Sequence, residues 1–198
     1  MEFLAKQVLD FWFGELDENQ QCKPEVTQRW FKKDEEFDKI VQKKFSQYLN
    51  SAAMGAFDRW SQNLNSCVAL IVLLDQFPRN CYRNHAKAFY FDAKALHFSK
   101  LITQDKQFNL LPAPYAYFSL MPFMHSESIE DQNLAVSYFE ALENKGIHKE
   151  LFASAAHYAR LHRDIILKYG RFPHRNLALD RQSTEEEIEY LKQPGSGF

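Results

Sequence analysis

Hydrophobic residues recur along the chain at intervals of three and four, which is the spacing of an amphipathic α-helix. In the first such segment, 3–13, the side chains of Leu4 and Val8 share one helical face. The longest apolar run, Cys67–Leu74, predicts a central helix buried on nearly all sides, because no second strand-like segment exists to pair with it. The pattern therefore predicts an all-α fold of about nine or ten helices without a sheet.

Helix breakers and capping residues predict where these helices begin and end. Because proline lacks a backbone N–H and clashes with the preceding turn, Pro78 and Pro122 are predicted to end the helices that contain the residues before them. Residues 85–102 resume the helical pattern, and Gly170 is the predicted C-cap of a helix over about 149–169. The predicted N-caps are Asp34, Asn63 or Asn65, Ser128 and Thr184.

Length and composition narrow the class of protein. The chain has 198 residues, of which 45% are hydrophobic and 25% charged, as in ordinary globular proteins. We expect one helical domain over 1–198, with an irregular tail at about 193–198. A net charge of −2 argues against a nucleic-acid partner. The aromatic content could leave an apolar patch through which copies of the chain associate, although nothing specifies an oligomer.

The segments that would direct the chain to a membrane or to export are missing from the sequence. Its first residues carry neither a basic region nor a small-residue cleavage site, and the longest apolar run is too short to span a bilayer. The three cysteines are widely spaced, with no CxxC pair, which argues against a disulfide framework or a zinc knuckle. These features predict a cytoplasmic protein without a membrane partner.

Three short segments concentrate polar side chains beside the predicted apolar helices. We name them by their sequences: the LDQFPRN corner (74–80), the HSE corner (125–127) and the RFPHRN corner (171–176). A proline in or just before each corner fixes the backbone, so each is predicted to be a stiff turn that holds its side chains at defined positions. The first and third corners resemble each other, since both contain Phe-Pro followed by Arg and Asn.

The arginines of these corners suggest a site for a small anionic ligand, because guanidinium groups match carboxylates and phosphates. Alternatively, each arginine pairs with a nearby acid, such as Asp75, Glu127 or Asp180, and the corners are purely structural. His162 has the same two interpretations, since a lone histidine on an apolar face is often a core residue. The candidate ligand-binding residues are Asp75, Arg79, Asn80, Arg83, His162, Arg171, Arg175 and Asn176.

The histidines add the possibility of acid–base chemistry. His125 or His174 could transfer a proton, oriented by Glu127 or Asp75, so the catalytic candidates are His125, Glu127 and His174. The same side chains could bind a metal, but the sequence contains no HExxH motif, and we predict neither a metal nor a cofactor. Since no GxSxG, GxGxxG or Walker motif occurs, whether the protein is an enzyme stays open.

The whole chain resembles the bacterial family of domain of unknown function 924. The resemblance implies a tetratricopeptide-like fold, in which antiparallel helix hairpins form a curved array, and it transfers no activity. Such arrays bind peptides, so a peptide or protein partner is the alternative function. One departure is Asp180, where the family more often has glycine. The matching stretches are VLDFWFG (8–14), RWFKKDEEFD (29–38), LLDQFPRNCYR (73–83), MPFMHSE (121–127), KYGRFPHRN (168–176), RQSTEEE (181–187) and the tail PGSGF. The family's motif positions fall on Asp75, Gln76, Arg79, Asn80, Arg83, His125, Glu127, Arg171, His174, Arg175 and Asn176.

Overall fold

The structure, a computed structural model, describes residues 2–146 and 148–197. Within these residues the chain forms nine α-helices and four short 3₁₀ helices, and no strand is found, so the predicted all-α fold is confirmed. The α-helices are α1 (Phe3–Phe13), α2 (Pro24–Trp30), α3 (Glu35–Ala53), α4 (Leu64–Cys81), α5 (Asp92–Ile102), α6 (Ala113–His125), α7 (Ile129–Asn144), α8 (Lys149–Tyr169) and α9 (Glu185–Leu191). The 3₁₀ helices are Asp58–Gln62, Ala86–Phe89, Phe108–Leu110 and Pro173–Arg175.

Helix α4 lies at the centre of the core, as its continuous apolar run predicts. Every residue from Cys67 to Leu74 is buried, because α4 packs against α1, α3, α5 and α6. Neighbouring helices also pack in sequence, with α3 against α4, α6 against α7, and α7 against α8. The finer expectation of a tetratricopeptide-like array stays a prediction.

Pro78 and Pro122 do not end their helices, which corrects the sequence-based boundaries. Helix α4 continues to Cys81, and α6 continues to His125. A proline removes one hydrogen bond to the preceding turn but leaves its own carbonyl free to accept, and Pro78 O accepts from Tyr82 N at 2.9 Å. The LDQFPRN corner therefore lies in the last two turns of α4. There Asp75 and Arg79, four residues apart, share one face.

One further helix boundary differs from the sequence-based prediction, and another agrees with it. The helical pattern over 85–102 divides into the 3₁₀ helix Ala86–Phe89 and helix α5, so it is not one helix. Gly170 ends α8 in the left-handed conformation at φ 69°, as expected for a glycine C-cap. The predicted N-caps that accept backbone hydrogen bonds are Asp34, Asn63, Ser128 and Thr184.

The C-terminal segment is attached through α9. Thr184 and Glu187 form a reciprocal capping box at the start of this helix. Residues 192–197 follow α9 without a further helix, while Phe198, the last residue of the predicted irregular tail, lies outside the described residues. Throughout the described part of the chain, we find no helix long and apolar enough to cross a membrane.

Candidate functional site

The LDQFPRN and HSE corners meet in a buried pair of side chains. Asp75 of α4 is fully buried, and its Oδ1 atom lies 2.7 Å from Nδ1 of His125, the last residue of α6. The side-chain amide of Gln76 donates to the other carboxylate oxygen of Asp75 at 2.6 Å. Because an ionised carboxylate only accepts hydrogen bonds, Nδ1 of His125 is the donor, and this fixes the orientation of the imidazole.

The electrostatic surroundings keep Asp75 ionised and His125 neutral. Burial opposes the charged carboxylate, but the charge of the Arg79 guanidinium and the hydrogen bonds from His125 and Gln76 outweigh it, so the pKa of Asp75 lies below its ordinary value. Burial, followed by the charge of Arg79, lowers the pKa of His125 in spite of its carboxylate partner. A neutral ring protonated at Nδ1 carries a lone pair on Nε2, which is the protonation state of a general base.

The RFPHRN corner reaches the same place through a shared carboxylate. Both terminal nitrogens of Arg79 donate hydrogen bonds to the carboxylate of Asp92 on α5, at 2.9 and 3.0 Å. Arg175 approaches the same carboxylate with Nη1 at 3.4 Å and donates Nη2 to the backbone carbonyl of His125 at 2.9 Å. The three corners therefore converge, and we call Asp75, Arg79, Asp92, His125 and Arg175 the His125 cluster.

Arg175 is held between two aromatic rings. The carbon at the centre of its guanidinium lies 4.6 Å from the ring centre of Phe89 and 4.5 Å from that of Phe172, which are cation–π distances. Burial lowers the pKa of Arg175 to about 10, so the group is still charged at neutral pH. Its buried Nε atom has no hydrogen-bond acceptor among the described residues. The cluster thus contains a fixed cation with a donor that the protein leaves unused.

Two further histidines lie beside the cluster. The ring centre of His162 is 6.5 Å from that of His125, and its Nδ1 donates to the backbone carbonyl of Tyr158 at 2.8 Å. Burial lowers the pKa of His162 to about 3. Burial, followed by the charge of Arg175, lowers the pKa of His174 to about 4. Both rings are therefore neutral at pH 7, and no group of three or more metal-ligating side chains is found within the described residues.

Three of the predicted site residues lie instead at a joint beside α9. Glu127 pairs with Arg181 through both oxygens, at 2.7 and 3.0 Å, and accepts from the backbone N–H of Phe172 at 2.8 Å. Arg171 donates to both oxygens of Glu187 at 2.7 Å, and Asn176 donates to the same carboxylate at 3.2 Å. We call this set of contacts the α9 joint. It fastens the RFPHRN corner to the HSE corner and to the last helix.

Asn80 and Arg83 point to a third place, a carboxylate on α3. Arg83 donates two hydrogen bonds to Asp38, both at 2.7 Å, and Asn80 donates a third at 2.8 Å. Arg83 outweighs the desolvation of Asp38, so the pKa of this carboxyl is lowered. Asn80 of the LDQFPRN corner and Arg83, which follows the end of α4, therefore join this part of the chain to α3 rather than contributing to the His125 cluster.

Three acidic partners of the arginines were not predicted from the sequence, whereas the predicted partner Asp75 does lie beside Arg79, with 3.4 Å between its Oδ1 and Nη1 of the arginine. Asp38, Asp92 and Glu187 each stand in the first turn of a helix, where an acidic residue is already explained by the helix dipole. Nothing in the local pattern distinguishes these acids from solvated ones. Asp92 is the most consequential omission, because it lies between Arg79 and Arg175, the second of which is 83 residues away from it in sequence.

A protein family and a solved structure are similar to almost the whole chain. Residues 8–195 match a bacterial protein family of unknown function, DUF924. The chain belongs to the DUF924 family. A solved structure, that of the protein of unknown function ATU0120 from Agrobacterium tumefaciens, is similar to this chain, with 33% sequence identity and a TM-score of 0.80. The similarity covers 96% of this chain and 98% of the other. No curated protein sequence matches the chain significantly.

Proposed function

We propose that the His125 cluster is an acid–base site for a small anionic ligand, with His125 as the proton acceptor. One observation carries this proposal. Three corners that are far apart in sequence place a neutral imidazole, fixed by a buried carboxylate, next to two guanidinium groups. An oriented base beside cations is the arrangement that proton abstraction from an anionic substrate requires.

The side chains of the cluster differ in how far they are buried, as a site for a ligand from solvent requires. Asp75 is fully buried, whereas the side chains of His125, Asp92 and Arg79 are 12%, 19% and 20% exposed. Solvent therefore reaches the outer edge of the cluster, while the group that orients His125 is kept away from water. A ligand at that edge would meet Arg79 and His125 without displacing Asp75.

Arg175 has unused capacity for an anion. Its contact with Asp92 is 3.4 Å long, and its Nε lacks an acceptor among the described residues. An incoming carboxylate or phosphate at the exposed edge of the cluster would share the two guanidiniums with Asp92. Negative charge that develops on the ligand, as its proton moves to Nε2 of His125, would be stabilised by the same cations.

The competing explanation is that the corners are purely structural. It is supported by the internal pairing of the arginines, since Arg79, Arg171 and Arg175 each lie beside a carboxylate of the chain. On this explanation the His125 cluster stabilises the fold and takes no ligand. The cytoplasmic location expected from the cysteine content is compatible with either explanation.

The experiment is an NMR titration of the protein with inorganic phosphate and with succinate, at constant ionic strength. We expect saturable shifts of the backbone amides of the RFPHRN corner, and loss of those shifts in Arg79→Gln. The matched control is Arg83→Gln, which removes a nearby arginine that binds Asp38 instead, and it should keep the shifts. If the wild-type protein shows no saturable shift with either anion, the proposal is wrong.

A second variant separates binding from proton transfer. His125→Asn removes the base but leaves both guanidiniums, so it should still bind the anions. In the wild-type protein, long-range ¹H–¹⁵N spectra should show His125 protonated at Nδ1 and neutral at pH 7. A ring that is charged at pH 7, or protonated at Nε2, would contradict its role as a base.

A further inference from the structure

A pocket of about 180 Å³ lies away from the His125 cluster. It is enclosed by the loop at Asn19 and Gln20, by the beginning of α6, by the end of α7 and by the beginning of α8. We call it the α6–α8 pocket. Its residues belong to none of the three corners, so any function that it has is independent of the proposal above.

The floor of the α6–α8 pocket is apolar and fixed. It is formed by side chains that are buried in the core, among them Phe108, Ala116, Leu142 and Phe152. An apolar cavity of about 150 Å³ accommodates one benzene molecule, whereas pockets for drug-sized ligands measure roughly 300–1,000 Å³. The volume therefore fits a ligand with a single ring or a short branched aliphatic group.

The rim of the pocket is polar and favours negative charge. Lys145 contributes a cation, and none of the described residues that line the pocket carries a carboxylate. The Lys145 ammonium donates to the side-chain oxygen of Asn109 at 2.5 Å. The side-chain nitrogen of Gln21 lies 2.9 Å from Nδ1 of His148 and can only donate, so Nδ1 accepts this hydrogen bond and Nε2 of the ring carries an N–H. The rim thus offers an ammonium and an imidazole N–H to a ligand.

The backbone at the rim is held in an unusual conformation. Gln20 and His148 have φ values of 58° and 54°, and only four non-glycine residues in the described part of the chain have a positive φ. Such conformations cost free energy and persist where surrounding contacts hold them, often at ligand sites. Two of these four residues line the same small pocket, and a hydrogen bond between Gln21 and His148 connects the two segments.

We propose that the α6–α8 pocket binds a small monocarboxylate with one aromatic ring or a branched aliphatic group. The ring would occupy the floor between Phe108, Leu142 and Phe152. The carboxylate would lie at the rim, where Lys145 and His148 can donate hydrogen bonds to it. A neutral ligand of the same shape would fill the floor but leave these donors unused.

The test is an NMR titration of the full chain with benzoate, and with benzamide as a neutral compound of similar shape. We expect benzoate to shift the backbone amides of Ala113, Leu142 and His148, and to bind about tenfold more tightly than benzamide. Lys145→Met should weaken benzoate about tenfold and leave benzamide unchanged. The matched control is Lys43→Met, which removes an exposed lysine of α3 and should leave both affinities unchanged.

A space-filling variant tests the location of the ligand. Ala116→Leu places three extra carbons on the floor and should abolish the benzoate shifts, with circular dichroism confirming that the fold is kept. Equal affinity for benzoate and benzamide, or shifts that persist in a folded Ala116→Leu protein, would overturn the proposal. If that variant does not fold, the comparison of the two compounds on the wild-type and Lys145→Met proteins still decides the question.

Discussion

Mild acid should destabilise the protein strongly, because its buried histidines are neutral in the fold. The pKa values of His162 and His174 are lowered from 6.5 to about 3 and about 4. On unfolding, both rings regain the ordinary value and take up protons below pH 6.5. Their contribution to the free energy of unfolding is therefore fully present above pH 6.5 and is lost as the pH falls toward 4 and 3.

The size of the effect follows from these shifts. At pH 5 each unfolded ring is almost fully protonated while each folded ring is still neutral, so each costs about 2 kcal/mol relative to pH 8. The two together cost about 4 kcal/mol, which is a large share of the roughly 5–15 kcal/mol that stabilises a typical domain. His125 acts in the same direction, because its pKa is also lowered by burial.

The assay is urea unfolding, followed by circular dichroism at several pH values between 8 and 5. Between pH 6 and 5 the free energy of unfolding should fall by about 1.4 kcal/mol per pH unit for each buried histidine. His162→Gln and His174→Gln should each make this decrease smaller by about 1.4 kcal/mol per pH unit. This holds whatever effect the substitution has on the stability at pH 8. The control is His97→Gln, an exposed histidine of α5, which should keep the wild-type slope.

The slope, rather than the stability itself, decides the outcome. A variant of a buried histidine that loses stability equally at every pH would show that the side chain matters for packing only. If the wild-type protein and both buried-histidine variants have the same slope between pH 6.5 and 5, the argument for neutral buried rings is wrong.

Three further predictions follow from the contacts. Asp75→Asn should destabilise the fold by about 1–3 kcal/mol in urea unfolding, because it replaces the buried carboxylate that accepts from His125 and Gln76 with a neutral amide; an unchanged stability would contradict this. Phe172→Ala should cost about 3–5 kcal/mol, whereas the exposed Leu177→Ala should cost under about 0.5 kcal/mol; equal effects would refute the burial argument. Glu187→Ala removes the acceptor for Arg171, so limited proteolysis near α9 should accelerate, and an unchanged cleavage rate would count against the α9 joint.

Local pattern was sufficient to predict the helices and the position of the core. The run from Cys67 to Leu74 identifies α4 as the central helix because eight consecutive apolar residues leave no polar face for solvent. The capping residues Asp34 and Thr184 identify helix starts because their side chains accept backbone N–H groups that a helix cannot satisfy itself. These are interactions over a few residues, which the sequence displays directly.

The helix ends at proline were less predictable. A proline disfavours the turn before it, but the cost is tolerated when the rest of the helix is buried, as it is for Pro78 and Pro122. The consequence reaches the candidate site, since Asp75 and Arg79 share a face only because α4 continues through the proline. The sequence singled out Asp75 and Arg79 as candidates, but it predicted the wrong local geometry for them.

Contacts between side chains that are far apart in the sequence could not be predicted. The motif pattern identifies Arg79 and Arg175 as candidate cations, but it does not show that both approach Asp92. The contact of both arginines with Asp92 depends on how α4, α5 and the RFPHRN corner pack together. In the sequence, Asp92 cannot be distinguished from any other acidic residue in the first turn of a helix. For the same reason, Asn80 and Arg83 gave no sign in the sequence that they bind Asp38 on α3.

The RFPHRN corner explains why one motif contains both candidate site residues and structural residues. Its first and last members, Arg171 and Asn176, bind Glu187 of the α9 joint, while Arg175 between them extends to the carbonyl of His125. The backbone of the corner is also fixed, because the N–H of Phe172 donates to Glu127. A guanidinium can be held beside a neutral imidazole only if its backbone is kept from moving away. The α9 joint meets that requirement, so the residues around Arg175 contribute to the candidate site by positioning Arg175 rather than by contacting a ligand.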